Sequence, residues 1–248
     1  MDNVSNSLFI QISFVPKYLL INLCMYEQYE YYFNNDGSRN NLIYTSLVNS
    51  DKTRFIQWYY NDGEYHKGQN QVVDPKLMQE KFDREVKYLS LMHSNYPDLV
   101  PNFYADVSTR KVYLDIDGKD FWNRAECSIE NYNSVLPDWQ DQMLEIIKAH
   151  KSLGLHKYSM HPSSYFIVDG KLKSFNYFFT YQNTEPYVSI KDVESHIHTN
   201  RQDKMKEHIE GLGIEWNKPQ PWEIMDKLCW NSFRTNYPVD FIEKALDV

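Results

Sequence analysis

The pattern of apolar and polar positions divides the chain into a strand-rich front and a helix-rich back. The stretches NLIYTSLV (41–48) and TRFIQWYY (53–60) are β-branched and aromatic, with the turn residues NSDK between them. That pattern predicts a pair of strands. Asn61-Asp62-Gly63 is a further turn signal, and a polar loop runs on to Asp74. Asp74-Pro75 opens a predicted helix, with Asp as N-cap and Pro at the first helical position. Along it Leu77, Met78, Phe82, Val86, Leu89 and Met92 recur at three- and four-residue steps, which makes one apolar face. Pro97 and Pro101 close the helix, and NFYADV (102–107) and KVYLDI (111–116) follow as strands broken by Asp117-Gly118. WQDQMLEIIKAHKSLG (139–154) is amphipathic, with Met143, Ile146, Ile147 and Leu153 on one face. SYFIVDGKLKSFNYFF (164–179) predicts a hairpin about Asp169-Gly170. Two helical stretches, 190–212 and 222–246, finish the chain, and residues 26–41, rich in Tyr and Asn, read as a ragged lead-in. This order is an α+β pattern.

The N-terminus carries two apolar stretches, LFIQISFV (8–15) and YLLINLC (18–24), split by Pro16 and Lys17. A membrane span needs roughly 20 mostly apolar residues in a row, and neither stretch reaches that. The start MDNVSNS lacks the basic opening of a signal peptide. Two readings of residues 1–25 stay open: a packed extension, or a start placed upstream of Met25.

Composition narrows the function classes. A formal net charge of −8 and a pI near 5.5 supply no basic face for nucleic acid. Cys24, Cys127 and Cys229 lie far apart with no CxxC pair, which fits three thiols in a reducing cytoplasm better than a disulfide framework. His196, His198 and His208 lack the further ligands of a zinc site. His150 falls at a predicted helix end, where it caps carbonyls. Cys229 and His208 have nothing in sequence to orient them as a nucleophile pair. Pro221 opens the last predicted helix, and Trp216 and Trp222 are candidate contact residues or packing groups beside it.

Three segments carry a resemblance. FDREVKYL (82–89) places Glu85 three residues after Phe82 on a helix. VYLDIDGKDFW (112–122) is an apolar strand followed by an acid, a short linker and Gly118. HKYSMHPSSYFIVDGKLKSFNYFF (156–179) combines His-Pro, a polar pair, a strand, a tight turn and a second strand. In this order they resemble the protein-kinase-like superfamily, including small-molecule kinases related to aminoglycoside phosphotransferases, over about 41–179. The resemblance implies a two-lobed fold: an N-lobe of a small twisted antiparallel sheet plus one helix (26–117), and a mainly helical C-lobe (118–248) holding the catalytic-loop hairpin 157–179. It makes Glu85 the helix partner of a strand lysine. Leu114 becomes the gatekeeper, and Asp115, Ile116 and Asp117 the hinge whose backbone meets a purine. Ser159, Ser164 and Asn176 fall at the family's catalytic Asp, Asn ligand and second Asp.

Those positions depart from the family's chemistry. Phosphoryl transfer needs an orienting carboxylate, metal ligands and a cation on the phosphates. Ser159 cannot take a proton as a carboxylate does. Ser164 and Asn176 are neutral where hard Mg²⁺ favours carboxylate oxygen. Gln57 stands at the lysine position without charge, Phe178 replaces a glycine, and 41–52 contains no glycine for a phosphate loop. The expectation is a pseudokinase in the cytoplasm that works as a binding or regulatory module on a protein partner. It leaves room for ATP or another purine at the hinge, with no Mg²⁺, no nucleic acid and no membrane. A divergent ATP-dependent phosphotransferase and a structural or assembly protein are the rival readings.

Overall fold

The structure is a computed structural model that describes residues 28–33, 35, 44–59, 75–157, 159–182, 188–189, 210, 215, 219–220 and 236–246. The extension 1–25, the turn at 61–63 and the Asp74 cap lie outside these residues. So do His196, His198, His208, Cys24, Cys229, Trp216, Pro221 and Trp222, with most of the two expected C-terminal helices.

The protein is α+β. Strands β1 (Tyr29–Tyr31), β2 (Thr45–Asn49), β3 (Arg54–Trp58), β4 (Phe103–Asp106) and β5 (Lys111–Asp115) form an antiparallel sheet in the order β1-β2-β3-β5-β4. The four strands expected from period-two patterning are present. β1 is a correction: it lies in the stretch read as a ragged lead-in, and three residues give too little alternation to reveal a strand. The β2–β3 turn is closed by Asn49, whose Oδ1 accepts from the backbone N–H of Thr53 (2.9 Å) and Arg54 (2.8 Å). Lys52 there sits at φ +56°.

Helix α1 (Pro75–Asn95) starts at the proline expected to start it and crosses between β3 and β4. Its buried side is wider than the apolar pattern implies. Met78, Phe82, Leu89 and Met92 are buried as expected, but Lys81, Glu85 and Tyr88 are equally buried among them. A 3₁₀ turn at Pro97–Leu99 follows.

After the sheet come α2 (Phe121–Arg124), α3 (Tyr132–Val135) and α4 (Trp139–Ser152). β6 (Leu155–Lys157) pairs with β9 (Thr180–Gln182), a ladder that the sequence reading lacked. Within it β7 (Tyr165–Val168) and β8 (Lys171–Ser174) make the expected hairpin. Asp169 (φ +52°) and Gly170 (φ +72°) both adopt the left-handed conformation that a two-residue turn of this kind requires. Gln142 of α4 holds that turn, accepting from Leu172 N–H (2.7 Å) and donating to the Gly170 carbonyl (3.3 Å). Short strands β10 (Val188–Ser189) and β11 (Pro219–Gln220) pair with each other. α5 (Val239–Leu246) packs Phe241 on Trp139 of α4, with ring centroids 4.7 Å apart. Among the described residues no helix is long and apolar enough to cross a membrane.

Replacing Asn49 with alanine strips the acceptor from two turn N–H groups. The expected cost is about 1–2 kcal/mol, read as a lower urea midpoint at unchanged slope.

Candidate functional site

Four of the five positions that the resemblance singles out, Gln57, Glu85, Ser164 and Asn176, meet in one buried network. β3 projects Gln57 to the same face as Phe55 and Tyr59, because side chains two apart on a strand share a face. α1 brings Glu85 to that face, and the segments bounding the β7–β8 hairpin bring Ser164 and Asn176. The Asn176 side-chain oxygen accepts from Tyr44 Oη (2.5 Å) and Gln57 Nε2 (2.9 Å). Its Nδ2 donates to Ser164 Oγ (3.0 Å). Asn176 holds φ +65°, a conformation that asparagine tolerates better than most residues.

Glu85 fixes the same segment from the other side. Its Oε1 accepts from Asn176 N–H (3.1 Å), and its Oε2 from Phe178 N–H (2.7 Å) and Tyr59 Oη (3.3 Å). Burial pushes the Glu85 carboxyl up to about 7. The Lys157 charge and the Phe178 and Tyr59 hydrogen bonds keep that rise smaller than burial alone would make it. The Lys157 Nζ lies 5.2 Å from the Tyr165 ring centroid and 5.3 Å from that of Tyr177, and it donates to the Ser159 carbonyl. Behind it His150 Nε2 meets Tyr177 Oη at 3.0 Å, and burial, reinforced by the Lys157 charge, drives His150 down to about 3. His150 is therefore a neutral buried group bonded to a tyrosine side chain.

Ser159 stands apart from the network. Its hydroxyl is buried with no hydrogen-bond partner, and its recorded bond runs from Lys157 to its carbonyl. The positions that the resemblance makes a hinge, Leu114 to Asp117, lie at the end of β5 and just beyond it. Leu114 is buried opposite Phe55. Asp115 is exposed beside Arg54 (3.3 Å). The hinge backbone is largely engaged within the chain. Asp115 N–H donates to Asn102 O (2.9 Å), Ile116 N–H to Thr53 O (2.9 Å) and Gly118 N–H to Lys52 O (2.8 Å). The Asp117 carbonyl accepts from Arg124.

Phe55, opposite Leu114 on the sheet, meets rings of the hairpin and of the segment after it. Phe55 lies 5.3 Å from Phe166 and 5.7 Å from Phe175, which stack on each other at 4.6 Å. Tyr32 adds an edge on Phe55 at 5.2 Å, and its hydroxyl bonds Asp120 at the start of α2. Asp120 also caps α2 through Asn123 N–H (2.9 Å) and accepts from Asn123 Nδ2 (2.6 Å). Asn35 grips Asn123 from the β1 side through two further bonds of 2.9 and 2.7 Å. Burial raises the Asp120 carboxyl, and the Tyr32 and Asn123 bonds oppose that rise. This clasp joins residues after β1 to α2.

The sequence reading missed Tyr44, Tyr59, Lys157, Tyr32 and Asp120. Strand alternation from Gln57 would have placed Tyr59 on the cleft face, and counting back from Val48 would have placed Tyr44 there. Nothing in the local pattern marks Lys157 or the clasp. Among the described residues no group of three His, Cys, Asp or Glu is placed to hold a metal ion. A scan against protein-family models finds no match, and a search of curated proteins finds no relative.

Two groups titrate with opposite sign. Glu85, raised from 4.5 to about 7, is protonated in the folded chain where the unfolded chain has lost its proton, so stability falls as pH rises through 4.5–7. His150, lowered from 6.5 to about 3, stays neutral where the unfolded chain binds a proton, so stability falls as pH drops through 6.5–3. The two oppose each other between pH 4.5 and 6.5. Urea unfolding at pH 5, 6 and 7 should show stability rising with pH from 5 to 6 in Glu85→Gln and falling over that interval in His150→Phe. Each slope is at most about 1.4 kcal/mol per pH unit.

Proposed function

We propose that this chain is a kinase-like domain that transfers no phosphate and acts by binding a protein partner. Three features support the reading: the strand order β1-β2-β3-β5-β4, the helix crossing between β3 and β4, and the meeting of Gln57, Glu85, Ser164 and Asn176. The observation that carries the loss of catalysis is the Asn176 amide. Its oxygen already accepts two protein donors and its nitrogen bonds the other ligand position, Ser164. A Mg²⁺–nucleotide does not fit these residues. The donors are neutral, each is spent on another, and Mg²⁺ favours carboxylates and retained water.

On this reading a purine finds no place either. Phe55, paired opposite Leu114, packs on the rings of Phe166 and Phe175, and the N–H groups of Ile116 and Gly118 bond within the chain. The chain's own side chains thus stand where the resemblance puts a nucleotide. What remains of the family's design is a shape, held closed.

Melting scans with millimolar ATP, with and without Mg²⁺, should leave Tm unchanged. A ligand at 100 times its Kd would add about 2.7 kcal/mol, which such a scan resolves. A rise that needs Mg²⁺ would return the phosphotransferase reading, and a rise without Mg²⁺ would assign a purine site at the hinge. Phe166→Ala should cost about 3–5 kcal/mol. The space it opens should let adenine raise the Tm of the variant and not of the parent.

A further inference from the structure

The five-stranded sheet ends on β4, and among the described residues no strand pairs beyond it. Which groups β4 turns outward follows from its ladder with β5. Asp115 N–H donates to the Asn102 carbonyl (2.9 Å), so Asn102, Tyr104 and Asp106 take the hydrogen-bonded positions of that antiparallel pairing. Phe103 and Ala105 alternate with them and direct their N–H and C=O groups away from β5. The edge lacks the usual protection. β4 reads FYAD, with no Lys, no Pro and no bulge in its register. Its one charge, Asp106, is turned into the β4–β5 turn, where it accepts from Ser108 N–H (2.9 Å) and Thr109 Oγ1 (2.7 Å).

Tyr104 stands between the two outward-facing residues. It ends the outer-face row Tyr31–Leu47–Ile56–Tyr113–Tyr104, one residue per strand. Its ring lies 5.9 Å from that of Tyr113 and is 66% exposed, so packing supports one side and leaves the other open. The bonding groups of Phe103 and Ala105 sit symmetrically about it. A second β4 laid antiparallel, with a two-fold axis through Tyr104, meets them in register. Phe103 then pairs with Ala105 of the other copy and Ala105 with its Phe103, each pairing closing both N–H···O=C bonds. Tyr104 faces its own counterpart at the non-hydrogen-bonded position, where side chains approach most closely. Asn102 falls opposite Asp106, an amide donor against a carboxylate, so no like charges meet across the seam.

We propose that β4 is the docking strand for a second copy of this chain, joining the two sheets edge to edge about a two-fold axis at Tyr104. What singles out a second copy is the self-complementary register. The backbone groups, the tyrosine and the Asn102–Asp106 pairing all repeat under the same rotation, as a two-fold interface requires. The contact is small, since β4 has four residues. The expected dimer is therefore weak, with a Kd on the order of 10–100 µM. The inference rests on the sheet edge and not on the kinase-like reading.

Sedimentation of the full chain is run at about 0.15 M salt, which screens the repulsion between two chains of net charge −8. From roughly 5 to 500 µM the monomer should give way to a dimer. A chain that stays monomeric to the top of that range overturns the proposal. Ala105→Pro removes an outward N–H and no ladder bond to β5, and should weaken the dimer roughly tenfold or more. If that variant does not fold, Tyr104→Lys decides, because it sets like charges opposite each other at the axis. A dimer as tight as the parent's overturns the proposal. Disulfide trapping reads the register. With the three native cysteines replaced by serine, Tyr104→Cys should give a covalent dimer on mild oxidation and Asp106→Cys should not, since the axis brings only position 104 against itself. Equal linking at the two positions overturns the proposal, as does linking at neither.

Discussion

A carboxylate without solvent must find donors, and at Glu85 that requirement organises the centre of the molecule. An ionised group buried in low dielectric is costly unless it is hydrogen-bonded and paired. Glu85 finds the main-chain N–H groups of Asn176 and Phe178, with Tyr59 as a third donor and Lys157 as the nearby positive charge. Those bonds fix the path of the chain after β8. They also hold Asn176 at its left-handed φ, and from there its amide reaches Tyr44, Gln57 and Ser164. One buried carboxyl group on α1 thus joins the helix, the sheet and the hairpin.

The aromatic plug and the clasp extend that joint across the cleft. Phe55, Phe166 and Phe175 bring sheet and hairpin into direct contact, and ring pairs of this geometry add to what area burial supplies. Tyr32 lies against the plug and hands its hydroxyl to Asp120, so segments far apart in sequence meet at one carboxylate. A cleft that cycles between open and closed would break these contacts at each opening.

The inner and outer faces of the sheet follow different logic. Inside, aromatic and polar groups interlock, and Asn176 joins the sheet to the hairpin through Gln57 and Ser164. Outside, an apolar row crosses every strand and its centre is buried. Surfaces of that kind are covered in a stable protein, since leaving them open invites association.

The strands β2 to β5, the start of α1 at Pro75, the amphipathic α4 and the Asp169-Gly170 hairpin were legible in the sequence. Each rests on local rules: alternation, helical spacing, and the few residues that accept a left-handed backbone. The positions Gln57, Glu85, Ser164 and Asn176 were legible as candidates through spacing alone. That they bond to one another, while Ser159 keeps apart, was decided only by the tertiary structure, because a hydrogen bond needs atoms within about 3 Å and spacing along a chain does not set that distance. Burial of Lys81, Glu85 and Tyr88 was likewise hidden, since a helix pattern scored by hydrophobicity discounts a charged residue that tertiary partners will satisfy. The Tyr32–Asp120 clasp joins residues 88 positions apart, and the aromatic plug joins Phe55 to rings still farther along the chain. Local sequence carries no record of such meetings, because they arise only when the folded chain brings distant side chains to one place.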